Sequence, residues 1–155
     1  MKFNLKTSLM ALTVLATSLA QADEPGTENG EWHHYTGDMK GSRYSSLDQI
    51  NADNFEDLEV AWSFSTKNLG SRAEYKLEVT PIMVDGMLYA TAGTRRAAIA
   101  LDGKTGELKW IHSMAEGLRG GMAPRQLSGR GLSYWSDGKG DDRVFYVTTG
   151  YKLIA

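Results

Sequence analysis

The 155-residue sequence contains no cysteine. That excludes a disulfide framework, a thiolate metal site, a Cys-x-x-Cys-His haem attachment and a lipid-accepting cysteine within it. A strong excess of one charge is missing as well. The formal net charge of -2 gives no reason to expect nucleic acid or an anionic membrane surface as a partner. No Gly-rich phosphate loop, nucleophile elbow or His-x-x-x-His pair occurs, so the familiar signatures of nucleotide, serine-hydrolase and zinc chemistry are absent. Apolar runs of membrane-spanning length are lacking too. Leu9 to Ala20 is an apolar stretch too short to cross a bilayer comfortably.

That stretch has another reading. Lys2 and Lys6 precede it, Ala20-Gln21-Ala22 follows with small residues around one position, and polar Asp23-Glu24-Pro25 comes next. A basic start, a short apolar core and a small-x-small cleavage pattern make residues 1–22 an expected signal peptide. The mature chain is then expected to begin at Asp23, without a transmembrane segment, in the bacterial periplasm. A retained membrane anchor is the alternative.

What the sequence has in plenty is glycine and aromatic residues: 17 Gly, 4 Trp and 7 Tyr. This suits a β protein with many tight turns. Asp23 to Gly30 reads as a flexible lead-in, Glu31 to Tyr35 as a short strand, and Leu47 to Leu58 as containing a helical turn. Val60 to Ser65 alternates and reads as a strand. Thr80–Val84 and Met87–Thr91 flank Asp85-Gly86, a dipeptide that favours positive φ at a two-residue hairpin turn. Ala97–Leu101 and Glu107–His112 complete a four-stranded antiparallel meander. Such a sheet is marginal alone, having two open edges and two apolar faces. Radial packing against similar sheets, as in a propeller, resolves that.

Ala100 to Trp110 reads A-L-D-G-K-T-G-E-L-K-W, a strand end, a tight turn and a return strand closing on Trp. A second unit follows, with strands expected at Leu132–Ser136, Arg143–Thr148 and Lys152–Ala155, and Leu58 to Trp62 resembles the end of an earlier one. Recurrence at one blade's length is the mark of a repeat array. The expected architecture is all-β, a partial propeller of four-stranded blades that stops within its second clear blade. Each motif-ending Trp is expected to dock on the Gly-containing turn of a neighbouring blade, burying its ring and placing its N–H.

These residues, in order, resemble the N-terminal part of the pyrroloquinoline-quinone (PQQ) dependent dehydrogenases, periplasmic quinoproteins with an eight-bladed propeller. The likeness rests on Gly41-Ser42-Arg43-Tyr44-Ser45-Ser46-Leu47 with Gln49-Ile50-Asn51, on Leu58 to Trp62, and on Glu78-Val79-Thr80-Pro81 leading into Val84-Asp85-Gly86. It continues in Ala100 to Trp110 and Arg130-Gly131-Leu132-Ser133-Tyr134-Trp135. It covers Trp32 to the last residue.

The resemblance implies that Glu78 lies beside PQQ and that the Arg130 guanidinium approaches the quinone oxygens. PQQ carries three carboxylates and an ortho-quinone, and a permanently charged fork donor can polarise a quinone oxygen. Taken without the family, both residues read as solvated surface charges. Many alcohol-oxidising members have adjacent cysteines shortly before that Arg. Here the stretch reads Ala123-Pro124-Arg125, which leans toward the branch acting on glucose and other sugars or polyols. Arg125 is then either a further cation near the cofactor or a loop residue in solvent.

The implied activity is oxidation of an alcohol, polyol or sugar CH–OH group, with a carboxylate base taking the hydroxyl proton, hydride passing to PQQ, and Ca²⁺ acting as Lewis acid. Electrons then pass to cytochrome c or ubiquinone. The implied calcium ligands and catalytic Asp are expected beyond Ala155, leaving this segment without a complete active site or turnover of its own. The alternative is a non-catalytic propeller scaffold of the outer-membrane assembly type. Other candidates read as structural. His33-His34 face opposite ways on a strand, His112 has no carboxylate at useful spacing, and Asp137 to Asp142 lacks EF-hand spacing.

Overall fold

The computed structural model describes residues 26–129 and 131–155. The signal-peptide expectation for residues 1–22 and the Arg130 side chain lie outside the described residues. Among the described residues seven strands form two antiparallel sheets. The first has the order β1 (Ile82–Val84), β2 (Met87–Ala92), β3 (Ala97–Asp102) and β4 (Leu108–His112). The second has the order β5 (Ser133–Ser136), β6 (Asp142–Val147) and β7 (Leu153–Ile154). Among the described residues helix is confined to α1 (Gly117–Gly121) and single 3₁₀ turns at Glu28–Gly30 and Phe55–Asp57. This is the all-β, partial propeller that the repeat predicts, and its sheets are not closed into a ring.

Strand pairing follows local chemistry. Asp85 (φ 51°) and Gly86 (φ 74°) both occupy the left-handed region, as a two-residue turn matched to strand twist requires. They set the register Val84↔Met87 and Ile82↔Tyr89. β1 begins two residues later than expected. Pro81 has no N–H to give to a ladder, and pairing starts at Ile82. Two other expectations are corrected. Val60 to Ser65 joins no ladder, because alternation describes side chains while a strand also needs a partner backbone, and none pairs with it among the described residues. Glu31 to Tyr35 is reduced to isolated bridges, Trp32↔Met83 and His34↔Gly37.

The core explains why one sheet needs neighbours on both sides. Successive β3 residues point to opposite faces, yet Ala97 through Leu101 are all buried. On one face Ile82, Val84 and Ala98 pack with Leu132, just before β5, and Tyr146 of β6, with Tyr89 and Tyr134 beside them. On the other, Ala90, Ala92, Ala97, Ile99 and Leu101 receive Trp62, Phe64, Leu69 and Val79 from the preceding segment. β4 is exposed along its whole length, as befits the outer strand of a blade.

Trp62 shows how consecutive units are tied. Its Nε1 donates to the Gly103 carbonyl at 3.1 Å. The indole lies so close to Gly106 (φ 71°) that a Cβ there would come within 2.5 Å of ring carbon Cδ2. The Asp-Gly-Lys-Thr-Gly turn is held open for it by Asp102, whose Oδ1 accepts from Lys104 N, Thr105 N and Thr105 Oγ1 at 2.9 to 3.0 Å. Trp62→Phe keeps the apolar ring and loses the hydrogen bond. We expect a loss of about 1 kcal/mol, read as a lower denaturant midpoint with an unchanged slope.

Glu116, at the start of α1, fastens the far end of the second sheet. Its carboxylate, 2% exposed, accepts from Thr148 Oγ1 at 2.8 Å, Thr149 Oγ1 at 3.0 Å and Gly150 N at 2.6 Å. Burial acts to raise its pKa. The hydrogen bonds from Gly150, Thr148 and Thr149, with the Lys152 charge, outweigh burial and hold the group below the usual range.

Candidate functional site

Three stretches meet at the edge of the first sheet: residues 72–78, the β2–β3 turn Gly93–Arg96, and the loop 123–129. Between them lies a cavity of about 420 Å³ lined by Arg72, Tyr75, Lys76, Glu78, Arg96, Ala123, Pro124, Arg125, Gln126, Leu127, Ser128 and Gly129. Its size is that of a small-molecule site. Among the described residues four cations and one carboxylate line it, an arrangement that favours a ligand with several negative charges.

The turn is the fulcrum of this arrangement. Gly93 has φ 75°, and a Cβ there would lie 2.0 Å from the Leu69 carbonyl oxygen. The segment carrying Leu69 to Glu74 is thereby packed directly on the turn, and Thr94 Oγ1 adds a long hydrogen bond to Arg72 O at 3.4 Å. Glu74 then bridges turn and loop, with Oε2 accepting from Gly93 N and Oε1 from Ser128 N, both at 2.8 Å.

Arg96 holds the same loop from the other side. Its Nε donates to Leu127 O at 2.9 Å and its Nη2 to Arg125 O at 3.0 Å. Its Nη1 reaches Val147 O at 3.1 Å and Thr148 O at 3.3 Å on the second sheet. A guanidinium has five N–H donors, and among the described residues four contacts go to backbone carbonyls. Burial lowers the Arg96 pKa, Tyr151 and Glu116 oppose that, and Arg125 adds to it. A guanidinium keeps its charge under such shifts.

Of the residues singled out in the sequence, Glu78 and Arg125 line this one cavity. Glu78 is well exposed and pairs with Lys76 at 3.2 Å, an ion pair that a ligand can displace at little cost. Arg125 also borders a second cavity of about 400 Å³, shared with Arg96, Phe145 and Tyr151. Gly129 and Gly131, on either side of Arg130, both have positive φ, 75° and 110°.

Glu74, Arg96 and Ser128 were not legible as site residues. Each acts across 19 to 54 positions of chain and has no local signature. Ser128 is 1% exposed, lines the cavity, and its Oγ has no hydrogen-bond partner among the described residues. An unpaired buried hydroxyl at a cavity wall is costly unless a ligand meets it.

The remaining candidates are structural. His33 Nε2 lies 3.0 Å from Glu31, whose carboxylate also accepts from Asp85 N. His112 Nδ1 lies 2.7 Å from the Tyr146 hydroxyl, joining the two sheets. Asp137 caps its own hairpin by accepting from Lys139 N and Asp141 N. Among the described residues no three His, Cys, Asp or Glu side chains are grouped to hold a metal ion, and no helix is long and apolar enough to cross a membrane.

Comparison with known proteins places this geometry in context. The family model described as "PQQ: Glucose/ethanol/alcohol dehydrogenase, beta-propeller domain" matches residues 32–155. The quinoprotein glucose dehydrogenase of Gluconobacter oxydans is 35% identical over 126 residues, which is 77% of this chain and 15% of that protein. The dehydrogenase subunit of the alcohol dehydrogenase (quinone) of the same organism is 33% identical over 142 residues, 90% of this chain and 17% of that protein. The chain thus spans about a sixth of the length of these relatives. The crystal structure of the quinohemoprotein alcohol dehydrogenase from Comamonas testosteroni superposes with a TM-score of 0.59 at 28% identity, over 81% of this chain and 19% of that one.

Proposed function

We propose, from the premise that this chain belongs to the PQQ glucose/ethanol/alcohol dehydrogenase β-propeller family, that it forms one wall of the PQQ site of a dehydrogenase acting on a sugar or polyol. The observation that carries this reading is the cavity in which Glu78 and Arg125 converge under a fourfold excess of cations over carboxylates. The donor set fits PQQ. Three carboxylates need fixed positive charge, and the unpaired Ser128 hydroxyl belongs to a residue of the cavity lining.

When bound, PQQ supplies the two-electron acceptor for C–H oxidation. This chain's residues bind and orient. The Arg125 guanidinium would neutralise ligand carboxylate charge, and Arg130, on the family resemblance, would approach the quinone oxygens. Glu78 exchanges Lys76 for a ligand donor, and the 123–129 loop closes one side against water. The lack of cysteine in the Ala123-Pro124-Arg125 stretch favours the sugar or polyol substrate class. In this reading the protein is exported to the periplasm after cleavage at Ala22, Ca²⁺ would supply Lewis-acid chemistry from ligands outside the described residues, and electrons would pass to a quinone or cytochrome c. A quinone acceptor accords with the name of the alcohol-oxidising relative.

The test is reconstitution of the apoprotein with PQQ and Ca²⁺, followed by dye-linked oxidation of sugars, polyols and primary alcohols. Glu78→Gln is expected to weaken PQQ binding about tenfold, the loss of one charge-assisted contact. Arg130→Lys, which keeps charge and loses the planar fork, is expected to lower turnover with little change in melting temperature. Wild-type behaviour of both variants would return the chain to the scaffold alternative.

A further inference from the structure

The cavity wall holds a group that the family resemblance does not assign. Ser128 is 1% exposed and lines the cavity, and its hydroxyl is unpaired among the described residues. Its backbone is fixed instead. Ser128 N donates to Glu74 Oε1 at 2.8 Å, and the other oxygen of that carboxylate is held by Gly93 N at 2.8 Å. The preceding carbonyl, Leu127 O, is held by Arg96 Nε at 2.9 Å, and Arg125 O by Arg96 Nη2 at 3.0 Å. Two buried or half-buried groups of opposite charge therefore grip the same loop, both anchored through the Gly93–Arg96 turn. They fix Ser128, whose hydroxyl has no partner among the described residues.

We propose that the Ser128 hydroxyl is a further contact to the cofactor bound in this cavity, and that Glu74 is a positioning residue that acts through Ser128. The inference rests on the PQQ reading above. Folding a hydroxyl into a closed wall without a partner costs free energy. That cost is recovered when a ligand carboxylate or carbonyl oxygen accepts its hydrogen bond. Glu74 does not itself line the cavity, and it touches the cavity-lining Ser128 through the amide, so its effect through that residue depends on the serine side chain.

The experiment uses the full protein purified without cofactor, titrated with PQQ in the presence of Ca²⁺ and followed by tryptophan fluorescence quenching. The melting temperature of each apoprotein is recorded alongside. Ser128→Ala removes an unpaired hydroxyl, so the apoprotein melts at or above the wild-type temperature. Its PQQ dissociation constant is nevertheless expected to rise about five- to tenfold. Glu74→Gln is expected to weaken PQQ binding to a similar degree and to speed hydrogen exchange at the Ser128 and Gly93 amides. In the Ser128→Ala background, Glu74→Gln is expected to weaken binding by less than twofold more, because the group it positions is gone.

Ile82→Val, in the core away from the cavity, serves as a stability control and is expected to leave PQQ affinity unchanged. An unchanged dissociation constant for Ser128→Ala overturns the contact. Additive effects of the two substitutions overturn the positioning role of Glu74. Failure of the wild-type protein to bind PQQ at all overturns the underlying reading and this inference with it.

Discussion

Gly93→Ala is expected to destabilise the protein by about 3 kcal/mol, and to abolish ordered binding at the cavity before it unfolds the sheets. Two costs add. An L-residue at φ 75° is disfavoured by about 1–2 kcal/mol. The new methyl would also sit 2.0 Å from the Leu69 carbonyl oxygen, which is backbone and cannot rotate away, so the 69–74 segment must move at a further cost of about 1–3 kcal/mol. Gly86→Ala is the internal control. Its φ is nearly the same, 74°, and nothing lies within 4 Å of the added carbon. It is expected to show the conformational cost alone. Urea unfolding of the two variants separates the terms. Equal losses would mean that the close approach to Leu69 contributes nothing.

Glu116→Gln is expected to cost about 2 kcal/mol at neutral pH, because an amide NH₂ cannot accept from the donors of Thr148, Thr149 and Gly150. The effect is pH-dependent in a defined direction. The folded-state pKa lies below the ordinary carboxylate value, so the ionised group stabilises the fold at pH values above its unfolded pKa. That contribution falls away as pH drops through the unfolded value and then the lower folded one. The difference in unfolding free energy between wild type and Glu116→Gln should be constant from neutral pH to about pH 5 and shrink below about pH 4. A difference that held steady into that acid range would mean that the carboxylate's charge is not what fastens the turn.

The parts of the fold that could be read in the sequence were those with local causes. Asp85-Gly86 specifies its turn through the backbone preferences of two adjacent residues. The apolar runs around it fix the register within a residue or two, and Trp62 with the Asp102–Gly106 turn forms the expected inter-blade dock. Val60 to Ser65 was misread because side-chain alternation carries no information about a backbone partner. The cavity was half legible. Glu78 and Arg125 were marked by neighbouring motifs. The residues that hold the loop were not, because Glu74 and Arg96 look like ordinary surface charges in the chain. Their roles come from contacts with a turn and a loop distant in sequence. An unpaired hydroxyl such as that of Ser128 has no sequence signature at all, since it is defined by what fails to lie next to it.

The Trp62 dock has a consequence for how such a chain reaches its folded state. The indole and its acceptor carbonyl are 41 residues apart, roughly one repeat, and the second sheet likewise packs on the one just before it. Both of these contacts join a unit to its sequence neighbour. The closure cost of each such step is that of a loop of about one repeat and not of the whole chain. A chain built this way can fold in the order in which it is synthesised. Each turn becomes a receptor, once it forms, for the tryptophan already waiting upstream.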